Sequence, residues 1–133
     1  MSASVRHARC RCGALTAECR GDPVRVSVCH CLDCQRRSGS AFAAQARFAV
    51  DDVTIGGEPV VFRTAGASGG KVAYRFCPTC GDTIAYVIDV FPGLAAIPLG
   101  TFADPGFPAP GFSVWERRKH RWLTVDGAVE HRD

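Results

Sequence analysis

Apolar and polar residues alternate along most of this chain with a period of two, the pattern of strands that bury one face. Leu15-Thr16-Ala17-Glu18-Cys19 is the first such run, and Arg20-Gly21-Asp22-Pro23 closes it as a turn. Val24-Arg25-Val26-Ser27-Val28 alternates strictly, which predicts valines facing the core and a strand running directly into Cys29. From Phe42 to Phe48 the pattern places Phe42, Ala44, Ala46 and Phe48 on one face. Val53-Thr54-Ile55 and Val60-Val61-Phe62-Arg63 flank Gly56-Gly57-Glu58-Pro59 and predict a hairpin. Lys71 to Phe76 delivers Cys77 as the valine strand delivers Cys29, and two further strands are expected at Thr83 to Val90 and Leu94 to Leu99.

The remaining segments read as connections. Residues 1 to 9 look like a polar lead-in, frayed at its start. Thr64 to Gly70 is small and flexible by composition. Asp104 to Gly111 holds three prolines and two glycines, so it is an extended connector. Phe112 to Val125 is expected to add a closing strand or hairpin. Helical signal is confined to Gln35 to Gly39, one turn stopped by Gly39. Many short strands with turn signals between them predict an all-β or β-rich domain.

Cysteine spacing changes this picture from a generic β domain to a metal scaffold. Cys29-His30-Cys31-Leu32-Asp33-Cys34 packs three thiols into six residues. In extended chain Cys29 and Cys31 point to one side, and the turn to Cys34 returns a third sulfur to the same ion. Thiols this close meet the geometry of a relaxed disulfide poorly. Cys10-Arg11-Cys12-Gly13 and Cys77-Pro78-Thr79-Cys80-Gly81 form two flanking pairs. A pair plus a pair supplies the four thiolates of a closed structural zinc, and the remaining three suit an open, catalytic one. Gly13 falls where a turn around a metal favours positive φ.

Length and composition narrow the class. The 133 residues, 47% hydrophobic and 22% charged, fit one globular domain, 1–133. There is no apolar run near the roughly 20 residues of a membrane span and no signal-peptide core. The expectation is a soluble, cytoplasmic chain whose eight cysteines serve metal or catalysis. A net charge of +3 favours anionic partners only weakly, and nucleic acid is not the expected partner.

Taken in order, these motifs resemble the glutathione-dependent formaldehyde-activating enzyme family, which includes the centromere protein V type domain. The likeness rests on Cys10-Arg11-Cys12-Gly13, on Cys29 to Cys34 followed by Arg36, Arg37 and Ser38-Gly39-Ser40-Ala41-Phe42, and on Arg75-Phe76-Cys77-Pro78-Thr79-Cys80-Gly81. It runs from about Arg6 to Trp122. The resemblance implies a Mss4-like fold of short antiparallel strands around cysteine-ligated zinc. It also implies a structural zinc at Cys10, Cys12, Cys77 and Cys80, and a second, catalytic zinc at Cys29, Cys31 and Cys34. The implied activity is that of a carbon–sulfur lyase, adding glutathione to formaldehyde to give S-hydroxymethylglutathione.

Alternatives stand beside each assignment. The second zinc could be structural, closed by Cys19, Asp33 or another side chain. Cys19 reads better as a small buried strand residue. His30 should project away from the ion its neighbours share, as a supporting or exposed residue, with proton transfer as the other role. Arg36, Arg37 and Arg75 could contact glutathione carboxylates, although offsetting thiolate charge or plain solvation is the simpler role. Arg117-Arg118-Lys119-His120-Arg121 between Trp115 and Trp122 reads as a solvated strand edge. As a whole, the competing function is a non-enzymatic zinc module that binds protein or nucleic acid. A thiol redox protein using Cys31 and Cys34 fits less well, because Cys29 adjoins the pair and no βαβ pattern surrounds it.

Overall fold

The computed structural model describes residues 4–66 and 69–133. In chain order the strands are β1 (Val5–Arg9), β2 (Thr16–Arg20), β3 (Arg25–Cys29), β4 (Ala43–Ala49), β5 (Val53–Gly56), β6 (Val60–Ala65), β7 (Lys71–Phe76), β8 (Thr83–Ile88), β9 (Leu94–Pro98), β10 (Phe112–Val114) and β11 (Glu130–His131). One α-helix, α1 (Leu32–Ser38), lies between β3 and β4. The β-rich expectation is therefore met.

Two sheets divide the strands. One has the order β1-β2-β5 and the other β11-β10-β3-β4-β9-β8-β7-β6. A core cluster that includes Leu15, Ala17, Cys19, Val26, Phe48, Ile84, Ile97 and Phe102 joins residues of both sheets. Period-two alternation explains why β4 can serve it: Ala46 and Phe48 enter this cluster while Gln45 and Arg47 take the other face. Both faces of β4 are nonetheless buried over Gln45 to Phe48. The second face lines a cavity rather than solvent.

Several expectations need correction. Residues 5–9 of the lead-in form β1, because Val5 to Arg9 find a complete antiparallel partner in β2. The predicted hairpin of Val53–Ile55 with Val60–Arg63 does not form: β5 pairs with β2 and β6 with β7. Between the two strands Gly57 sits at φ +91 and packs so closely that a Cβ would stand 2.1 Å from the Ala14 carbonyl oxygen. That crossing sends the chain from one sheet to the other. β6 extends through Thr64 and Ala65 into the segment read as flexible, of which Ala67 and Ser68 lie outside the described residues. Val24 is 66% exposed, because β3 begins only at Arg25.

The C-terminal segment adds β10, not as a hairpin but parallel to both β3 and β11. Glu116–Arg118 form a 3-10 turn, so the basic run is not a strand edge. The helix is one turn longer at its start than expected. Cys31 is its N-cap, accepting the Cys34 N–H on Sγ at 3.3 Å, and Gly39 closes it in the left-handed region at φ 69.

Candidate metal centres and the cavity beside them

Seven of the eight cysteines gather into two groups. Cys10, Cys12, Cys77 and Cys80 form one, Cys29, Cys31 and Cys34 the other, and within each the sulfurs lie within 4.8 Å of one another. The Cys10–Cys12 and Cys12–Cys77 sulfur separations are 3.7 and 3.5 Å. Zinc–sulfur bonds of about 2.3 Å in a tetrahedron require edges of about 3.8 Å, and these two separations are close to that value. No disulfide links these residues, and all eight cysteines are free thiols.

Local chain geometry explains the grouping. The Cys10–Gly13 segment turns back so that Cys10 N donates to the Leu15 carbonyl at 3.1 Å and Leu15 N donates to Cys10 Sγ at 3.3 Å. Gly13 sits at φ 82, as its place in the turn requires. The Cys77–Cys80 turn is built likewise, with Thr79 N and Cys80 N donating to Cys77 Sγ at 3.4 and 3.5 Å. Hydrogen bonds from the Cys80 and Thr79 N–H groups hold the Cys77 thiol below its ordinary range against the effect of burial. Arg11 and Asp82 tie the two turns together through a contact between Arg11 Nε and both carboxylate oxygens at 3.1 Å.

The three-thiol group repeats the C-x-x-C turn at Cys31 and Cys34 and takes its third sulfur from the end of β3. Hydrogen bonds from Cys29 first, and from Cys34 next, hold the Cys31 thiol well below its ordinary range, while contacts with Cys29 first and Cys31 next push Cys34 up. Among the described residues no other Cys, His, Asp or Glu ligand atom joins this group within 4.8 Å. Cys19 is fully buried in the core on β2, and Asp33 is exposed in the first turn of α1.

His30 is buried, with its Nε2 2.8 Å from Ser113 Oγ on β10. It stands outside the three-thiol group and is closed off from solvent. Burial lowers its pKa, which favours the neutral ring. Arg36 and Arg75 are exposed, and Arg37 lies over the rings of Tyr74 and Tyr86 at 5.5 and 5.0 Å.

A cavity of about 110 Å³ opens beside the three sulfurs. Its walls include Arg25, Ser27, Gln45, Arg47, Tyr86 and Trp115. A buried polar chain runs along it: Tyr86 donates to Gln45 Oε1 at 3.1 Å, Gln45 Nε2 donates to Ser27 Oγ at 2.7 Å, and Arg47 donates to the same oxygen at 3.3 Å. Burial pushes the Tyr86 phenol well above its ordinary range, so it remains a donor. Trp115 sits at φ 59, a left-handed conformation that is costly for a bulky residue and tends to occur at functional sites. None of these wall residues stood among the candidate ligands or substrate contacts in the sequence, where Trp115 entered as a flank of the basic run. The signal was present, since counting back from Cys29 in steps of two reaches Ser27 and Arg25 on the face that carries the thiol.

Comparison with known proteins follows the same lines. A crystal structure of a Rhodobacter sphaeroides protein, solved as a structural-genomics target, superposes with a TM-score of 0.58 at 19% identity, covering 77% of this chain and 90% of that one. That likeness establishes the fold. No curated protein matches the chain. The sequence model of the family described as glutathione-dependent formaldehyde-activating enzyme matches residues 5–118, which takes in both thiol groups and every cavity wall named above. The chain therefore belongs to the glutathione-dependent formaldehyde-activating enzyme family.

Proposed function

We propose that this protein is a zinc-dependent carbon–sulfur lyase that promotes the addition of a small thiol, such as glutathione, to an aldehyde, such as formaldehyde. The observation that carries the reading is the cavity against Cys29, Cys31 and Cys34, where three protein sulfurs face space instead of a fourth side chain. Two zinc ions per chain are proposed, one enclosed by Cys10, Cys12, Cys77 and Cys80 and one held by the three-thiol group. When bound, the second ion supplies charge that favours a substrate thiolate over the thiol, and a soft sulfur-rich site suits a further sulfur ligand.

The chain's own residues do the rest. Cys29, Cys31 and Cys34 line the cavity together. Val72, Ile88 and Phe91 make much of its wall apolar, which keeps water from competing for the aldehyde. In the reaction the substrate sulfur forms a bond to the carbonyl carbon, the carbonyl π pair moves to oxygen, and the thiol's proton ends on that oxygen. The second N–H of the Gln45 amide, beside the one given to Ser27, offers a donor along the cavity at which a polarised oxygen can be held. Eight thiols suit a reducing compartment such as the cytoplasm.

A non-enzymatic zinc module would be served by two enclosed ions, and three thiols against a cavity fit that role less well. The test is to mix the protein with glutathione and formaldehyde and follow the adduct by NMR against the spontaneous reaction. The proposal expects acceleration that Cys31→Ser removes. A rate no faster than background for glutathione and for smaller thiols would overturn it.

A further inference from the structure

Arg25 and Arg47 occupy directly opposed positions on β3 and β4. Like charges facing each other across an antiparallel pair are destabilising. Here the pair is also largely withdrawn from water: Arg47 is 8% exposed, and the Arg25 Nε is buried without a hydrogen-bond partner. Neither residue takes part in an ion pair among the described residues. The nearby carboxylate of Glu130 is engaged by Arg132. Of its several N–H donors, Arg47 commits one to Ser27 Oγ.

Aromatic rings hold both guanidinium groups in place. Phe91 lies 4.3 Å from the Arg47 guanidinium carbon and 5.4 Å from that of Arg25, and Phe112 lies 3.9 Å from Arg25. Cation–π contact orients the two groups without neutralising them. A pre-positioned, unneutralised pair of guanidinium forks is the usual means of taking up a carboxylate or phosphate in two-point contact.

Position decides what the anion belongs to. Arg25, Ser27 and Cys29 share one face of β3, and at roughly 3.3 Å per residue the Arg25 and Cys29 Cα atoms stand roughly 13 Å apart. Both arginines and all three sulfurs line the same cavity of about 110 Å³. That space holds about three to four water volumes, enough for a few heavy atoms between a sulfur and an acid group.

The geometry points to a substrate-carboxylate subsite formed by Arg25 and Arg47, which selects a carboxylate-bearing thiol or its aldehyde adduct and orients its sulfur toward Cys29, Cys31 and Cys34. The identity of the rest of the ligand rests on the thiol reading given above, but the anion subsite itself does not.

Calorimetry on the protein as purified, with its metal, compares 3-mercaptopropionate with 3-mercaptopropan-1-ol, which has the same length and no charge. The acid is expected to bind about tenfold tighter or more. Arg47→Gln and, independently, Arg25→Gln should remove that preference while leaving the alcohol's affinity within about twofold; the half-buried Arg25 carries the test if Arg47→Gln does not fold. Equal binding of acid and alcohol, or a preference that survives both substitutions, overturns the subsite. Propionate separates the two readings, because it has the carboxylate and no sulfur. If neither thiol binds but propionate shifts the arginine Nε–H resonances of the native protein and not those of Arg47→Gln, the thiol reading falls and the subsite stands. Silence toward both acids overturns the subsite, and tighter binding of inorganic phosphate than of either acid overturns its assignment to a carboxylate.

Discussion

Arg11 and Asp82, 71 residues apart, clasp the two turns of the four-thiol group: the Arg11 backbone N–H donates to Asp82 Oδ2 at 2.8 Å and its Nε reaches both carboxylate oxygens at 3.1 Å. The Arg11 side chain also donates to the Cys80 carbonyl at 3.2 Å. One carboxylate thus fixes the backbone between Cys10 and Cys12 against the turn that carries Cys77 and Cys80. Groups that orient ligands typically affect metal affinity by about 10- to 100-fold. Asp82→Ala should therefore speed transfer of metal from this group to a chromophoric chelator by about tenfold, whereas unchanged transfer would make the clasp incidental.

The two thiol groups should differ in what they do for the fold. Cys10 and Cys77 belong to the core cluster, and none of Cys29, Cys31 and Cys34 does. Structural zinc contributes on the order of 10 kcal/mol, which is comparable to the whole stability of a domain. Cys77→Ser should abolish cooperative thermal unfolding. Cys31→Ser should keep it and lose one metal ion, as circular dichroism and metal analysis would report. Collapse of both variants would make both groups structural.

His30 sits beside two of the sulfurs in sequence, yet its contact with Ser113 joins the β3 end to β10. Removing the ring takes one of the hydrogen-bond partners of the buried Ser113 hydroxyl, at a cost of about 1 kcal/mol. His30→Ala should lower stability to chemical denaturation by that amount without removing metal. Loss of metal at unchanged stability would place the ring at the ion instead.

Tyr86 provides a pH test. Burial raises its folded pKa, so the folded chain keeps the phenolic proton where an unfolded chain releases it. Any stability linked to this group is fully present below the unfolded value of about 10 and is lost as pH rises from there through the folded value. The chain has two tyrosines, so Tyr74→Phe leaves Tyr86 alone to be followed by phenolate absorbance. Phenolate should appear only above the ordinary range in the folded protein and within it in denaturant. Titration at the ordinary value in both states would contradict a closed cavity wall.

Most of the strands between Thr16 and Pro98 and both thiol groups were legible because each rests on local spacing: period-two alternation places Cys29 and Cys77 at strand ends, and short motifs fix the remaining sulfurs. What escaped was long-range. Val53–Ile55 and Val60–Arg63 carry the local signature of a hairpin, and they are separated by the pairing of the first with β2 and of the second with β7. Arg25, Gln45 and Arg47 look in sequence like the solvated faces of their strands. Their burial depends on β8, the Phe91 turn and the C-terminal segment closing over them, which no local pattern announces.

The account turns on the metal environment at Cys29, Cys31 and Cys34, and X-ray absorption on protein holding two zinc ions reads it directly. One four-sulfur ion and one three-sulfur ion average to about 3.5 sulfurs per zinc, with a light atom making up the remainder. The account predicts that value, rising to about four when 3-mercaptopropionate is added. Four sulfurs per ion before any thiol is added, or a sulfur count that does not change on adding it, would contradict it.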